Sequence, residues 1–124
     1  MSEPAALLEA DDVRLLVEIG FSALSRGLLA PAETIFAGVE AARPGSEAAG
    51  IGRALARLHG GAVDEAVGIL RALPPSDAAR AFLGLAVSRT GDRAEARAIL
   101  AEVAQSAPGT PPAAMAQDLL AALA

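Results

Sequence analysis

Apolar side chains recur at helical spacing from the start of the chain. Leu7, Leu8, Leu15, Leu16, Ile19, Phe21, Ala23 and Leu24 make one broad face, predicting a helix from Pro4 or Asp11 to about Arg26. Gly27 closes it, since glycine enters the left-handed conformation at low cost. Pro31 fits the first turn of a second helix, where its missing N–H has no intrahelical partner to lose. That helix ends near Arg43, ahead of Pro44-Gly45. Ser46 is the expected N-cap of a third helix that runs to Gly60-Gly61. Asp64 opens a fourth, which stops at Pro74-Pro75, and Ser76 caps a fifth. Gly91-Asp92 divides the fifth from a sixth, and Thr110-Pro111 leads into a last helix over Ala113–Leu123. The pattern predicts seven helices and no strand.

The same pattern repeats. Gly27, Gly61 and Gly91 each stand five residues before an alanine: Ala32, Ala66 and Ala96. Four residues on come Phe36, Leu70 and Leu100, and three further come Val39, Leu73 and Val103. The second copy follows the first by 34 residues and the third follows the second by 30. A unit of this size holds two helices and is too small to bury its own core, so such units stack. The expected fold is all-α: a short right-handed α-solenoid of about three helical hairpins with a C-terminal capping helix. One domain over residues 1–124 is expected, with repeats at about 13–46, 47–76 and 77–110 and the cap at 111–124.

Composition sharpens this picture. Hydrophobic residues make up 53% of the 124 and aromatics only 2%, so the apolar content is mostly alanine, leucine and valine. Small side chains let helices approach closely. The net charge is −5 and all ten basic residues are arginine, with no basic block. That argues against a nucleic-acid footprint and against attraction to anionic membranes. With no cysteine, disulfides and thiolate metal sites are excluded. The first dozen residues carry acids where a secretory signal carries basic residues, and no stretch reaches the ~18 apolar residues of a membrane span. The expected location is cytoplasmic.

The repeated residues resemble the tetratricopeptide repeat, whose signature reads W-x2-L-G-x2-Y, then A-x3-F, then P. The third copy follows it as Leu83-Gly84-x2-Val87, Ala96-x3-Leu100 and Pro108. The first gives Ile19-Gly20-x2-Ala23, Ala32-x3-Phe36 and Pro44. The second keeps Gly61, Ala66, Leu70 and Leu73 but has Arg53-Ala54 where Leu-Gly is expected. No Trp or Tyr fills the signature positions. Size, degenerate repeats, the shortened second spacing and an alanine-rich tail are similar to the small repeat proteins of bacterial type III secretion systems. That group includes needle-subunit chaperones, export co-chaperones and an Hrp-type set from plant pathogens.

The resemblance implies a concave face lined by the first helix of each hairpin. The first repeat supplies Arg14, Val17, Phe21, Leu24 and Ser25 to that face, and the second Ala48, Ile51, Leu55, Leu58 and His59. The third supplies Ala78, Ala81, Leu85, Ser88 and Arg89. The partner-contacting set is then Val17, Phe21, Leu24, Ile51, Leu55, Leu58, His59, Leu85, Ser88 and Arg89. Repeats that clamp acidic tails use lysine and asparagine on this face, and this chain has neither. An apolar floor suits an amphipathic helix anchored at i, i+3/i+4 and i+7. On this reading Leu55→Asp removes partner binding and leaves helicity intact. Two other occupants fit the same face: the chain's own core or termini, and a second copy in a homodimer.

Catalytic chemistry finds little footing. His59 is the one histidine, stands beside a Gly-Gly helix end, and lacks a nucleophile and an orienting carboxylate. One histidine without cysteine makes no metal site. Asp11-Asp12 and the scattered glutamates read as first-turn charges and solvated faces. Gly20, Gly84 and Gly60-Gly61 follow the repeat, not a phosphate loop. The chain is expected to be a non-enzymatic binding module without cofactor or metal. It would be a cytoplasmic chaperone or adaptor for an amphipathic helix, which the resemblance makes a type III secretion subunit. The alternative is a self-associating scaffold, or an accessory protein of the peptidoglycan and envelope.

Overall fold

A computed structural model describes residues 9–124. Leu7 and Leu8, and a first helix beginning at Pro4, lie outside the described residues. Seven helices follow in order: α1 (Ala10–Ser25), α2 (Leu29–Ala42), α3 (Glu47–His59), α4 (Val63–Ala72), α5 (Asp77–Thr90), α6 (Arg93–Ser106) and α7 (Pro111–Leu123). There is no strand among the described residues. The fold is all-α, and each helix lies within about two residues of its predicted bounds.

The caps read from sequence are in place. Ser46, Ser76 and Thr110 each accept a hydrogen bond from the backbone N–H three residues on. Asp92, expected only as part of the break between helices, caps as well and accepts one from the Glu95 N–H. Each satisfies an N–H that the first helical turn would otherwise leave without a partner. At the start of α1, Asp12 Oδ2 accepts from the Glu9 N–H at 3.1 Å. The three repeat glycines do what the pattern required: Gly27, Gly61 and Gly91 have φ of 75°, 88° and 95°. The ends of α1 and α3 are closed alike, by Leu28 N–H to Ala23 O at 2.9 Å and Ala62 N–H to Arg57 O at 2.8 Å.

The chain divides into two compact units, the first ending at Ala62 and the second beginning at Val63. In the first, α1 and α2 form a hairpin and α3 packs against both. Its centre is Phe36, fully buried on α2. The Phe36 ring meets Phe21 edge-on, with centroids 4.9 Å apart at 66°. Two glycines make room for that ring. A Cβ on Gly20 of α1 would lie 2.7 Å from Phe36 Cζ, and one on Gly52 of α3 would lie 2.5 Å from Cε1. Ala23, Leu24, Ala32 and Ala56 complete the cluster. Glu33 and Arg57 tie α2 to α3 at 2.7 Å.

The second unit holds α4 to α7. Leu100 of α6 is fully buried and presses on Gly84 of α5, where a Cβ would lie 2.5 Å from Leu100 Cδ2. Ala81, Val103 and Ala116 join Leu100 in a core that brings α5, α6 and α7 together. Met115, Leu119, Leu120 and Leu123 lay one face of α7 over it, as expected of a capping helix. Two carboxylates two turns apart on α6 take partners on other helices: Glu95 meets Arg71 of α4 and Glu102 meets Arg80 of α5, both at 2.5 Å. Arg97 donates to the Leu123 carbonyl at 2.6 Å, closing the end of α7.

Gly38 and Gly68 sit inside α2 and α4 with nothing within 4 Å of an added Cβ. Gly38→Ala and Gly68→Ala should therefore each raise stability by about 0.5–1 kcal/mol, the helix-propensity gain alone. Gly52→Ala has the same gain and should still lower stability, because overpacking the Phe36 site costs about 1–3 kcal/mol. Urea denaturation of the three variants separates the two effects. A stabilised Gly52→Ala would contradict the packing described for Phe36.

Candidate functional site

The ten residues expected to contact a partner fall on three helices. In the first unit, α1 carries Val17, Phe21 and Leu24, while α3 carries Ile51, Leu55, Leu58 and His59. Leu24, Ile51 and Leu58 are buried and serve the core. Val17, Phe21 and Leu55 are half-buried and keep part of their surface in solvent. Phe21 and Leu55 also pack against the cluster around Phe36. Leu55→Asp would therefore place a carboxylate against that core, and the expected separation of binding from folding does not hold at this residue. His59 is exposed at the last position of α3, ahead of the Gly60-Gly61 turn. There it can favour the negative end of the helix dipole when charged.

In the second unit, α5 carries Leu85, Ser88 and Arg89. Leu85 and Ser88 are half-buried and Arg89 is exposed. The Ser88 hydroxyl donates to the Leu85 carbonyl at 2.6 Å, so it is turned back onto its own helix.

One turn and more N-terminal on α5, Ala78 and Ala81 line a cleft. With Phe82 they make one wall of a cleft of about 320 Å³, and Pro111, Pro112 and Met115 of α7 make the other. No charged side chain lines it. The alanines matter because they leave volume between helices that larger residues would fill. The proline pair matters because it begins α7 without N–H groups facing the cleft. Such a cleft accepts an aliphatic or aromatic side chain and offers nothing to a carboxylate. Sequence reasoning placed Ala78 and Ala81 on the ligand face and missed Phe82, Pro111, Pro112 and Met115. The signal available for the last three was the Pro-Pro start of an apolar helix whose register against α5 only the fold supplies.

A second cleft of about 310 Å³ in the same unit is mixed in character. Leu70, Leu73, Pro75, Ala79 and Leu83 form its apolar part, with Arg71 and Arg80 alongside. Those arginines are the ones held by Glu95 and Glu102, so their charge is directed to α6. Among the described residues no three His, Cys, Asp or Glu side chains cluster to hold a metal ion. No described helix is long and apolar enough to cross a membrane.

No protein-family model matches the chain, and no curated protein matches it in sequence. A solved structure does match in fold: the type III secretion translocator chaperone SycD of Yersinia enterocolitica. The likeness has a TM-score of 0.71 at 15% identity and covers 94% of this chain and 86% of that one. At that identity the likeness is one of fold, and it agrees with the all-α helical-hairpin architecture described above.

Proposed function

We propose that this protein is a cytoplasmic, non-enzymatic chaperone that holds an amphipathic helix of a type III secretion subunit. The observation that carries the reading is the fold likeness to a translocator chaperone across 94% of the chain. The chemistry of the ligand-facing residues supports it. The cleft between α5 and α7 is apolar, and the half-buried Val17, Phe21, Leu55 and Leu85 add apolar surface on their own helices. A partner helix that self-assembles through its apolar face would have that face covered, so it would stay unassembled until export. Burying one Leu, Ile or Phe anchor contributes about 1.5–3 kcal/mol, so three or four anchors suffice after ordering costs.

Purification from cells that express a type III secretion system should recover a small helical subunit at 1:1. Its absence, with the protein sedimenting alongside cell walls, would favour an envelope role instead.

A variant of Ala78 tests the cleft without disturbing the core. Ala78 is the second residue of α5, where a glutamate retains helix propensity and favours the positive end of the dipole. Ala78→Glu should leave the melting temperature within a few degrees of the parent protein. It should weaken binding of the recovered subunit by about tenfold or more, the value of one lost anchor. Unchanged affinity, measured by calorimetry, would remove the cleft from the binding surface.

A further inference from the structure

Sulfur is scarce in this chain. There is no cysteine, and of the two methionines Met1 lies outside the described residues. Met115 therefore carries the one sulfur among the described residues. It stands on α7, half-buried, in the wall of the α5–α7 cleft. Its side chain also packs on the core of Ala81, Leu100, Val103 and Ala116. The same thioether thus borders the cleft and helps seat α7.

A thioether suits that position while it stays reduced. It is apolar, flexible and polarisable, so it moulds to an apolar guest. Thiols and thioethers are also the side chains that peroxides attack, and this chain has no thiol. The sulfur attacks one oxygen of hydrogen peroxide and the O–O bond breaks. That oxygen forms the new S=O bond and the other leaves as water; sulfur loses an electron pair and the peroxide gains it. The sulfoxide is polar and only accepts hydrogen bonds. The cleft has no side-chain donor for it: Ala78, Ala81 and Phe82 are apolar, and Pro111 and Pro112 lack even an N–H. An oxygen buried there without a partner is costly, so the sulfoxide turns to solvent at the mouth. It then stands in the path of an apolar guest.

We infer that Met115 is a reversible modification site, at which oxidation by a peroxide closes the α5–α7 cleft to apolar ligands. Reduction by a dithiol, which leaves as its disulfide while the oxygen leaves as water, reopens it. This rests on the reading of the cleft as a binding surface, and not on the nature of the client.

The test uses the full chain and a neutral apolar dye, N-phenylnaphthylamine, in place of a client. Hydrogen peroxide should add one oxygen to Met115, located by mass spectrometry of its peptides. Dye affinity should then fall about tenfold, the value of one lost apolar contact, with helicity unchanged by circular dichroism. Methionine sulfoxide reductases supplied with a dithiol should restore the affinity. Met115→Leu, a swap that conserves volume, should keep its own starting affinity through the same treatment, which separates Met115 from Met1. Four results would each overturn the inference. They are a parent protein that takes up no dye, a Met115 that resists peroxide able to oxidise free methionine, an oxidised Met115 with affinity unchanged, and a Met115→Leu protein that loses affinity equally. Loss of helicity on oxidation would replace closure of the cleft by unfolding. The chaperone reading is judged separately, by recovery of the helical subunit, so either can fail alone.

Discussion

The first unit depends on one ring and two missing side chains. Phe36 is the bulkiest fully buried residue among the described residues, and it reaches α1 and α3 at Gly20 and Gly52. A glycine inside a helix costs about 1 kcal/mol against alanine, so a helix that keeps one there needs a return. Here the return is contact. Without Cβ atoms, two helix backbones close on the ring, and Phe21 adds an edge-on contact. Removing either glycine's vacancy would push Phe36 toward the other, because the ring has a backbone on each side. That is why one aromatic can organise three helices in a chain with so few aromatics.

The second unit solves the same problem with smaller parts. Leu100 takes the place of the ring and Gly84 that of the glycines, while Ala81, Ala96 and Ala116 let α5, α6 and α7 approach closely. A core of alanine, leucine and valine has a physical consequence. Small residues set helices near one another but do not fill every space between them. The α5–α7 cleft is such a space, bounded by alanines on one side and by the proline start of α7 on the other. The site thus follows from the composition that builds the core.

Helix existence and order were legible because each boundary carries a local signal. Ser46, Ser76, Asp92 and Thr110 cap, and Gly27, Gly61 and Gly91 turn, through interactions within a few residues. Gly52 was not read in this way. The repeat pattern put Arg53-Ala54 where a Leu-Gly pair was expected, and made the second hairpin look irregular. The glycine that matters stands two residues earlier and serves Phe36 on α2, a contact 16 positions away in sequence. Its one local signal was the pair Gly50 and Gly52 inside a helix, an expense that propensity alone does not explain. The split of the ligand face was also hidden. Periodicity marks a residue as apolar and on a given side, and cannot divide Leu24, Ile51 and Leu58, which serve the core, from Val17, Phe21 and Leu55, which keep some surface.

Charge limits what such a surface can hold. Arg57 faces Glu33, Arg71 faces Glu95, Arg80 faces Glu102, and Arg97 caps the Leu123 carbonyl at the end of α7. These guanidinium groups hold helix to helix, and the α5–α7 cleft is left without a charge. Any recognition at that cleft would rest on shape and apolar burial, which depend weakly on salt. Phe21 and Leu55 show the limit this imposes: each offers part of its surface outward while the rest packs on the Phe36 cluster. A side chain shared in this way cannot be enlarged for a ligand without disturbing the core beneath it. On the proposed reading, affinity would be gained by adding anchors along the partner rather than by deepening any one pocket. Binding through many modest contacts also releases in steps, which would suit the proposed role of holding a helix and later giving it up.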